Sequence, residues 1–510
     1  MAGAKLAVID LGSNSGRVVV VRADAQGVID VLADERAPLR LIQHLDARGN
    51  LSPHAVEHVL TVLRDFHRVA AAAGARTTLA VATAAVREAN NGPDLLRRIR
   101  RELGLKVRIL DAESEARCAF LGAVYGLPVR SGLVLDIGGG SLQVSRFSDR
   151  RLQRSWSLPL GALRIHTRFL KGDPPTRGQI RQLRTHVHAA IARAGIPSLR
   201  RAEVLVGTGG TVRNLAKVDS RRRSYPIPRL HGYELTRARL QELTLLLGYC
   251  SQEERAFLPG MNAERADSIP AGSIIAETLM DHVGARRLLV AGQGLREGVV
   301  LETRRILVPP VKAVRARSVA GLASRFASWE KTRAARRLTL TRELHRRLDS
   351  GPPGLMAELL EHAAIILDIG RSVDYYRRHE HAAAIVRATG LLGFGHREIL
   401  LLSILIEMAD KSEWNLKRYR PLLREEDRGP LERASLVLAL ADLIEHRLPP
   451  KHAARVSCSI RKESIVLRVP ALAAWNSREL ESRFRRAFGR ELICERPKGV
   501  SSHHAQTRRS

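Results

Sequence analysis

One pattern in the first third of the chain occurs twice, and it limits the fold more than any other feature. Lys5–Val21 reads KLAVIDLGSNSGRVVVV, and Gly132–Phe147 reads GLVLDIGGGSLQVSRF. Placing Asp10 on Asp136 also places Gly12 on Gly138 and Ser15 on Ser141. Each copy is an apolar run, an Asp, a Gly/Ser turn and a second β-prone run. That order predicts a β-hairpin whose first strand ends in a carboxylate. An internal repeat of this kind calls for two similar lobes.

The segments after the two hairpins extend the repeat. The first is followed by an expected strand near Val28–Leu32, a helix near His54–Ala73 and a strand at Thr77–Ala82. A helix near Pro93–Leu103, a strand at Val107–Leu110 and a helix from Glu113 come next. The second copy predicts strands at Gly132–Asp136, Leu142–Phe147 and Leu152–Leu158, a helix near Thr176–Ala194, and strands at Ala202–Val206 and Arg287–Ala291. Three strands followed by alternating helices and strands suit a mixed sheet covered by helices.

After Val308 the pattern changes. VPPVKAVRARS reads as a linker. Helical periodicity then runs through Val319–Trp329, Thr339–Leu348, Leu355–Ile366, His379–Thr389, His396–Met408 and Pro430–His446, with one β-prone patch at Ser464–Val469. The expected organisation is an α/β lobe over 1–125, a second over 126–307, a helical domain over 308–495 and a disordered tail over 496–510. A chain of 510 residues is too long for one ordinary core.

Charge narrows the partners. The net charge is +32, from 84 Lys+Arg against 52 Asp+Glu, which raises the local concentration of polyanions. Nucleic acid, polyphosphate and phosphorylated nucleotides all qualify, and a general Arg bias would produce the same number. Aromatic residues are only 4%, which argues against base stacking and against a specific nucleic-acid partner. Cys118, Cys250, Cys458 and Cys494 are far apart and form no CxxC pair, so a reducing compartment fits better than disulfides or zinc. The N-terminus has no apolar signal core, and no stretch reaches bilayer-spanning length. A cytoplasmic protein without a membrane partner is expected.

A Gly/Ser turn after a strand points several backbone N–H groups at one place, a concavity that suits phosphate oxygens. Asp10 and Asp136 at the turn entrances would hold Mg2+ against such a phosphate. One such turn alone is weak evidence, because ordinary hairpins use Asp-Gly turns too. Its duplication is the stronger sign, since a hairpin has no need of a second copy. A third turn, at Gly209, Gly210 and Thr211 in VLVGTGGTVRNLA, serves equally well as an anion nest or as a tight strand-to-helix turn.

Further strings accompany the turns: TAAVREAN (Thr83–Asn90), DAESEARCAFL (Asp111–Leu121), SLPLGALR (Ser157–Arg164), HGYEL (His231–Leu235), ERAFLPGMNAERAD (Glu254–Asp267) and GLREGVVLE (Gly294–Glu302). With them the chain resembles the exopolyphosphatase/guanosine-pentaphosphatase family, within the wider actin, sugar-kinase and heat-shock-70 superfamily. The resemblance is dense over roughly the first three hundred residues and looser beyond. It implies an α/β fold of two ribonuclease H-like lobes with a cleft between them, plus an all-α HD-like C-terminal domain. It also implies that Glu115 is the catalytic base. Ser13, Asn14, Ser15, Gly138, Gly139, Gly140 and Ser141 would cradle phosphate, and Arg87 would steady a phosphate further along. The implied substrate is linear polyphosphate or guanosine pentaphosphate, with Mg2+ as cofactor and a homodimer as assembly. The TAAVREAN and EARCAFLG matches disfavour a sugar or acetate kinase.

Two departures stand out. Gln143 occupies the position, two residues after Ser141, where similar proteins carry an acid at the metal site. An amide carries no charge and binds Mg2+ more weakly, which keeps open a weakly catalytic polyphosphate or nucleotide sensor. In the helical domain, ILDIG keeps Asp368 but has Leu367 where the HD signature has His. That loss argues against a second, metal-dependent site. His379, His381 and the other histidines there read as surface or packing residues.

Overall fold

The structure, a computed structural model, describes residues 4–23, 29–349, 354–410, 419–449, 456–469, 472 and 477–495. It comprises two compact units, Met1–Arg317 with Leu392–Gly395, and Ser318–Leu391 with His396–Ser510.

The first unit contains two sheets of the same design. In the first, β1 (Ala4–Leu11), β2 (Ser15–Ala23) and β3 (Ile29–Pro38) run antiparallel. After α1 (Pro53–Ala72), β4 (Thr77–Ala82) pairs parallel with β1. Then α2 (Ala84–Glu88) and α3 (Gly92–Leu103) lead to β5 (Val107–Ile109), and α4 (Ala112–Tyr125) follows. The strand order is β3-β2-β1-β4-β5. β1 and β2 are nearly continuous runs of Val, Ile, Leu and Ala because helices cover both faces of the sheet. Ile9, Val18 and Val20 pack toward Phe66 of α1, while Val8, Val19 and Val21 pack toward Cys118, Val299 and Val300.

The second sheet begins with β6 (Gly132–Ile137), β7 (Leu142–Ser148) and β8 (Arg151–Leu158), again antiparallel. Two helices, α5 (Ala162–Phe169) and α6 (Arg177–Arg193), precede β9 (Val204–Thr208), which pairs parallel with β6. Beyond it lie α7 (Gly209–Arg222), β10 (Glu234–Thr236), α8 (Arg237–Tyr249), α9 (Gln252–Phe257), α10 (Ile269–His282), β11 (Arg287–Val290) and α11 (Leu295–Thr303). The order is β10-β11-β9-β6-β7-β8, so β8-β7-β6-β9-β11 repeats β3-β2-β1-β4-β5. The registers repeat as well: Asp10 pairs with Arg17 on β2, and Asp136 with Gln143 on β7.

Each lobe lends its last helix to the other. Phe120, Ala123 and Val124 of α4 pack with Val134, Phe147 and Val206 of the second sheet. Val299 and Val300 of α11 pack with Leu6 and Val8 of the first. The two helices cross backbone to backbone. A Cβ on Gly122 would lie 1.9 Å from the Gly294 carbonyl oxygen, and one on Gly298 would lie 1.8 Å from that of Cys118.

The segment read as a linker is helical: α12 spans Val311–Ala323 and starts directly after Pro309 and Pro310. Proline lacks an N–H, and a helix start is where that N–H has no partner anyway. The second unit also holds α13 (Lys331–Leu348), α14 (Leu355–Ile366), α15 (Arg378–Ala388), α16 (His396–Met408) and α17 (Arg428–Glu445). The all-α expectation for it is corrected. β12 (Ser457–Ile460) and β13 (Ser464–Arg468) pair antiparallel, and beyond α18 (Arg478–Phe488) the strand β14 (Glu491–Glu495) joins β13 in parallel. The β-prone patch at 464–469 therefore found its partners in segments that carry little strand signal alone. Val28 and the tail 496–510 lie outside the described residues. Among those residues, no helix is long and apolar enough to cross a membrane.

Candidate active site

The two repeated turns close identically. Gly12 N donates to Ser15 O at 3.2 Å, and Gly138 N donates to Ser141 O at 3.0 Å. They also abut each other. A Cβ on Gly139 would stand 2.9 Å from Asn14 Cβ, and one on Gly140 would stand 2.7 Å from Ser13 Oγ. Local hydrogen bonds fix the first turn: Leu39 N and Arg40 N both donate to Asn14 O, and Ala85 N at the start of α2 donates to Ser13 Oγ at 3.2 Å. The second lobe repeats that strand-to-helix junction at Thr208–Gly209. Gly209 has φ +86°, and a Cβ there would meet Asp136 Oδ1 at 2.2 Å. Glycine lets the α7 terminus approach the carboxylate.

The turns line one cleft. Asp10, Ser13, Asn14, Ser15, Glu115, Asp136, Gly138, Gly139, Gly140, Ser141, Gln143, Gly209 and Gly210 all contribute to its wall. Thr211 and Arg87 do not. Thr211 is buried with its methyl group toward Gly272 of α10. Arg87 Nη1 donates to Glu115 Oε2 at 2.9 Å and to Leu110 O at 2.6 Å, so it reaches the cleft through Glu115. The cavity measures about 110 Å3, several times the ~30 Å3 share of one liquid water, so a phosphoryl group has room.

Sequence reasoning left out the charged residues Arg17, Arg213, Arg265, Arg296 and Glu297, which also line the wall. Arg17 was within reach, because the repeat that aligns Asp10 with Asp136 also aligns Arg17 with Gln143. Arg265 and Arg296 lie in strings already singled out, but only the fold brings them to the cleft. The buried arginines crowd one another. Burial, then Arg296, Arg213, Arg36 and Arg265, push Arg17 down to about 9. Burial, Arg36 and Arg213 push Arg265 down to about 10. Cations that repel each other in a buried pocket favour an anion between them.

The acids show the converse. Burial raises Asp10 to about 6 against the pull of Arg296 and Arg17, and the charge of Asp136 adds to the rise. Burial raises Asp136 too, opposed by Arg213 and Arg265. Glu115 is pushed up to about 7 by burial, opposed by Arg87, with Asp136 and Asp10 adding to the rise. It stands in the first turn of α4, which Asp111 caps by accepting from Ser114 N at 2.7 Å. Ion pairs cross between the lobes around the cleft: Arg36–Glu264 at 2.5 Å, Arg296–Asp34 at 2.6 Å, Arg40–Asp267 and Arg164–Glu88.

Asp10 Oδ1, Asn14 Oδ1 and Gln143 Oε1 are buried in this wall without a hydrogen-bond partner. The Gln143 amide donates through Nε2 to Ser157 Oγ at 2.9 Å, which leaves its oxygen free to accept. Orphaned oxygens of this kind suit a hard cation. No group of three or more His, Cys, Asp or Glu among the described residues could hold a metal ion by itself. The two carboxylates and the amide oxygens of Asn14 and Gln143 suit Mg2+ that completes its shell with water and substrate oxygens.

In the second unit, Asp368 is paired with the fully buried Arg337, whose Nε also lies 2.9 Å from Asp442 Oδ1. His381 is half-buried, whereas His379 is buried. His379 also lines a cavity.

Two lobes of one design that meet over an arginine-lined, carboxylate-bearing cleft with room for a phosphoryl group define a phosphate-handling enzyme. The Ppx/GppA phosphatase family model matches residues 19–305, and the Ppx/GppA phosphatase domain III model matches residues 314–481. The chain belongs to the Ppx/GppA phosphatase family and is a phosphatase. It is 34% identical over 301 residues to Exopolyphosphatase 1 of Mycobacterium tuberculosis, covering 58% of this chain and 87% of that protein. The Ppx/GppA family member of Aquifex aeolicus is 27% identical, with a TM-score of 0.52 over 59% of this chain and 97% of that one. An exopolyphosphatase of Cytophaga hutchinsonii, 23% identical, shares the fold with a TM-score of 0.55 over 59% of this chain and 98% of that one.

Proposed function

We propose that this phosphatase is an Mg2+-dependent exopolyphosphatase that releases the terminal phosphate of linear polyphosphate as orthophosphate. One observation carries the reading: Glu115, pushed up to about 7, stands in the wall where the two phosphate-sized turns meet. A base poised near neutral pH can take a proton from an attacking water. The water oxygen then bonds to the terminal phosphorus, and the bridging oxygen leaves with the shortened chain. The backbone N–H groups of Ser13–Ser15 and Gly138–Ser141 would cradle the phosphoryl oxygens, with Arg17, Arg213, Arg265 and Arg296 opposing their charge. Asp10, Asp136 and the Gln143 amide oxygen would hold Mg2+, which when bound neutralises phosphoryl charge. Arg87 acts through Glu115 in this reading.

The mycobacterial relatives named Exopolyphosphatase 1 support the choice of polyphosphate. Guanosine pentaphosphate offers the same terminal phosphoanhydride to the same cleft. Phosphate release from long polyphosphate and from guanosine pentaphosphate, alone and in competition with Mg2+ present, separates the two. Absence of release from polyphosphate under every divalent metal tried defeats the proposal. Gln143 favours one further reading, a slow enzyme that acts as a polyphosphate or nucleotide sensor. That reading requires Gln143→Glu to create turnover that the natural chain lacks. We read the second unit as HD-like in descent but without a metal reaction of its own, since Arg337 provides the positive charge beside Asp368. The homodimer implied by the resemblance is a matter for sedimentation of the full chain.

A further inference from the structure

We propose that the second unit carries its own pocket for a small phosphate-bearing organic molecule, built where the N-termini of α15 and α18 meet His379, Arg378 and Arg483. The cavity measures about 370 Å3, within the ~300–1,000 Å3 usual for small-molecule sites. Arg378 and His379 open α15, and Ser477 and Glu479 open α18. At α15 the first N–H groups have no partner inside the helix, and its dipole favours an anion there; at α18 Ser477 Oγ already accepts from Leu480 N at 3.3 Å.

Independent evidence comes from the side chains. His379 is only 4% exposed, yet its Nδ1 has no hydrogen-bond partner. Its two ring nitrogens stand 3.9 Å from Asp410 Oδ1 and 4.0 Å from Asp442 Oδ2, beyond hydrogen-bonding reach. Arg378 Nε is also buried and without a partner. Unmet donors and acceptors in a buried wall carry a desolvation cost that a ligand relieves.

The acids in the lining do not reverse the sign. Arg378 at 2.8 Å and Arg337 at 2.9 Å already neutralise Asp442. Asp410 and Glu479 stand at the exposed rim, while Arg483 is 8% exposed and gives one of its N–H groups to the Met408 carbonyl. Leu443 and Leu480 supply an apolar wall for the organic part, and Tyr375, held by its hydroxyl contact with His446 at 3.1 Å, stands beside it.

The test is calorimetric titration of the full chain with phenyl phosphate in metal-free buffer. Arg17→Gln weakens anion binding in the first unit and so isolates the second event. We expect a binding event that persists in Arg17→Gln and weakens at least about tenfold when His379→Leu removes the buried imidazole. It also weakens several-fold in Arg447→Glu, where Arg447 is an exposed residue at the rim of the same cavity, a change that leaves the melting temperature unaltered. The proposal is overturned if no event persists in Arg17→Gln, or if the persisting event is the same in His379→Leu and Arg447→Glu.

Discussion

Arg87 and Glu115 share a 2.9 Å hydrogen bond, and the same Arg87 nitrogen also donates to the Leu110 carbonyl. The guanidinium therefore fixes the carboxylate to the backbone just ahead of α4 while opposing the rise in its pKa. Arg87→Ala should raise Glu115 above its present value of about 7, because an adjacent opposite charge lowers a carboxylate by ~1–3 units. The acid limb of the pH–rate profile then moves to higher pH. Glu115→Gln should lower kcat by ~10²–10⁴-fold with polyphosphate binding retained. A pH–rate profile of Arg87→Ala that overlays the parent would refute the coupling.

Glu115 also has a stability signature. Its folded pKa, about 7, exceeds the ordinary glutamate value of 4.5, so the folded chain keeps a proton that the unfolded chain releases. Stability is fullest below about 4.5, falls between there and about 7, and is flat above. Glu115→Gln, which cannot ionise, should unfold at a higher temperature than the parent at pH 8, by ~3 kcal/mol in stability, and with no gain at pH 4. Thermal unfolding at both pH values reads this directly.

Gly209 is predicted to be far less tolerant than Gly104. Both have positive φ, +86° and +65°, but a Cβ on Gly104 meets nothing within 4 Å, whereas one on Gly209 meets Asp136 Oδ1 at 2.2 Å. Gly104→Ala should cost ~1–2 kcal/mol from backbone conformation alone and keep activity. Gly209→Ala should cost more and displace Asp136, with loss of turnover. Melting temperatures and phosphate release from the pair decide it.

Gln143→Glu adds a charge where a buried amide oxygen has no partner. Mg2+ binding by calorimetry should tighten by about tenfold, ~1.4 kcal/mol. Unchanged Mg2+ affinity would mean that position 143 does not face the cation.

Arg337 is fully buried between Asp368 and Asp442. Burial alone would raise Asp442, yet Arg337 and Arg378 hold it down to about 2. Arg337→Met should destabilise the chain by ~3–5 kcal/mol, since it strips the buried Asp368 of its close partner and leaves Asp442 with Arg378 alone. Adding Asp368→Asn and Asp442→Asn should recover part of the loss. Denaturant unfolding of the single and triple variants tests both steps.

Local signals made the repeat legible. The Asp-Gly/Ser turns, the valine-rich strands and the helix periods each lie within one short segment, and the duplication doubled the turn signal. Arginines such as Arg213 and Arg265 were not legible, because their meaning depends on which distant elements the fold brings together. The α12 start was misread because two prolines mark a helix entrance as readily as a break. The sheet of the second unit was half-visible: β13 carries a strand pattern, but β12 and β14 gain theirs only by pairing with it.

The exchange of α4 and α11 makes the two lobes mutual dependants. Cutting the chain at the apparent repeat boundary would separate each sheet from a helix that the other lobe's sequence supplies, and would expose Val134 and Phe147 on one side and Leu6 and Val8 on the other. The ancestral half that was once copied can no longer be recovered by truncation, and the acid on α4 belongs to both halves at once.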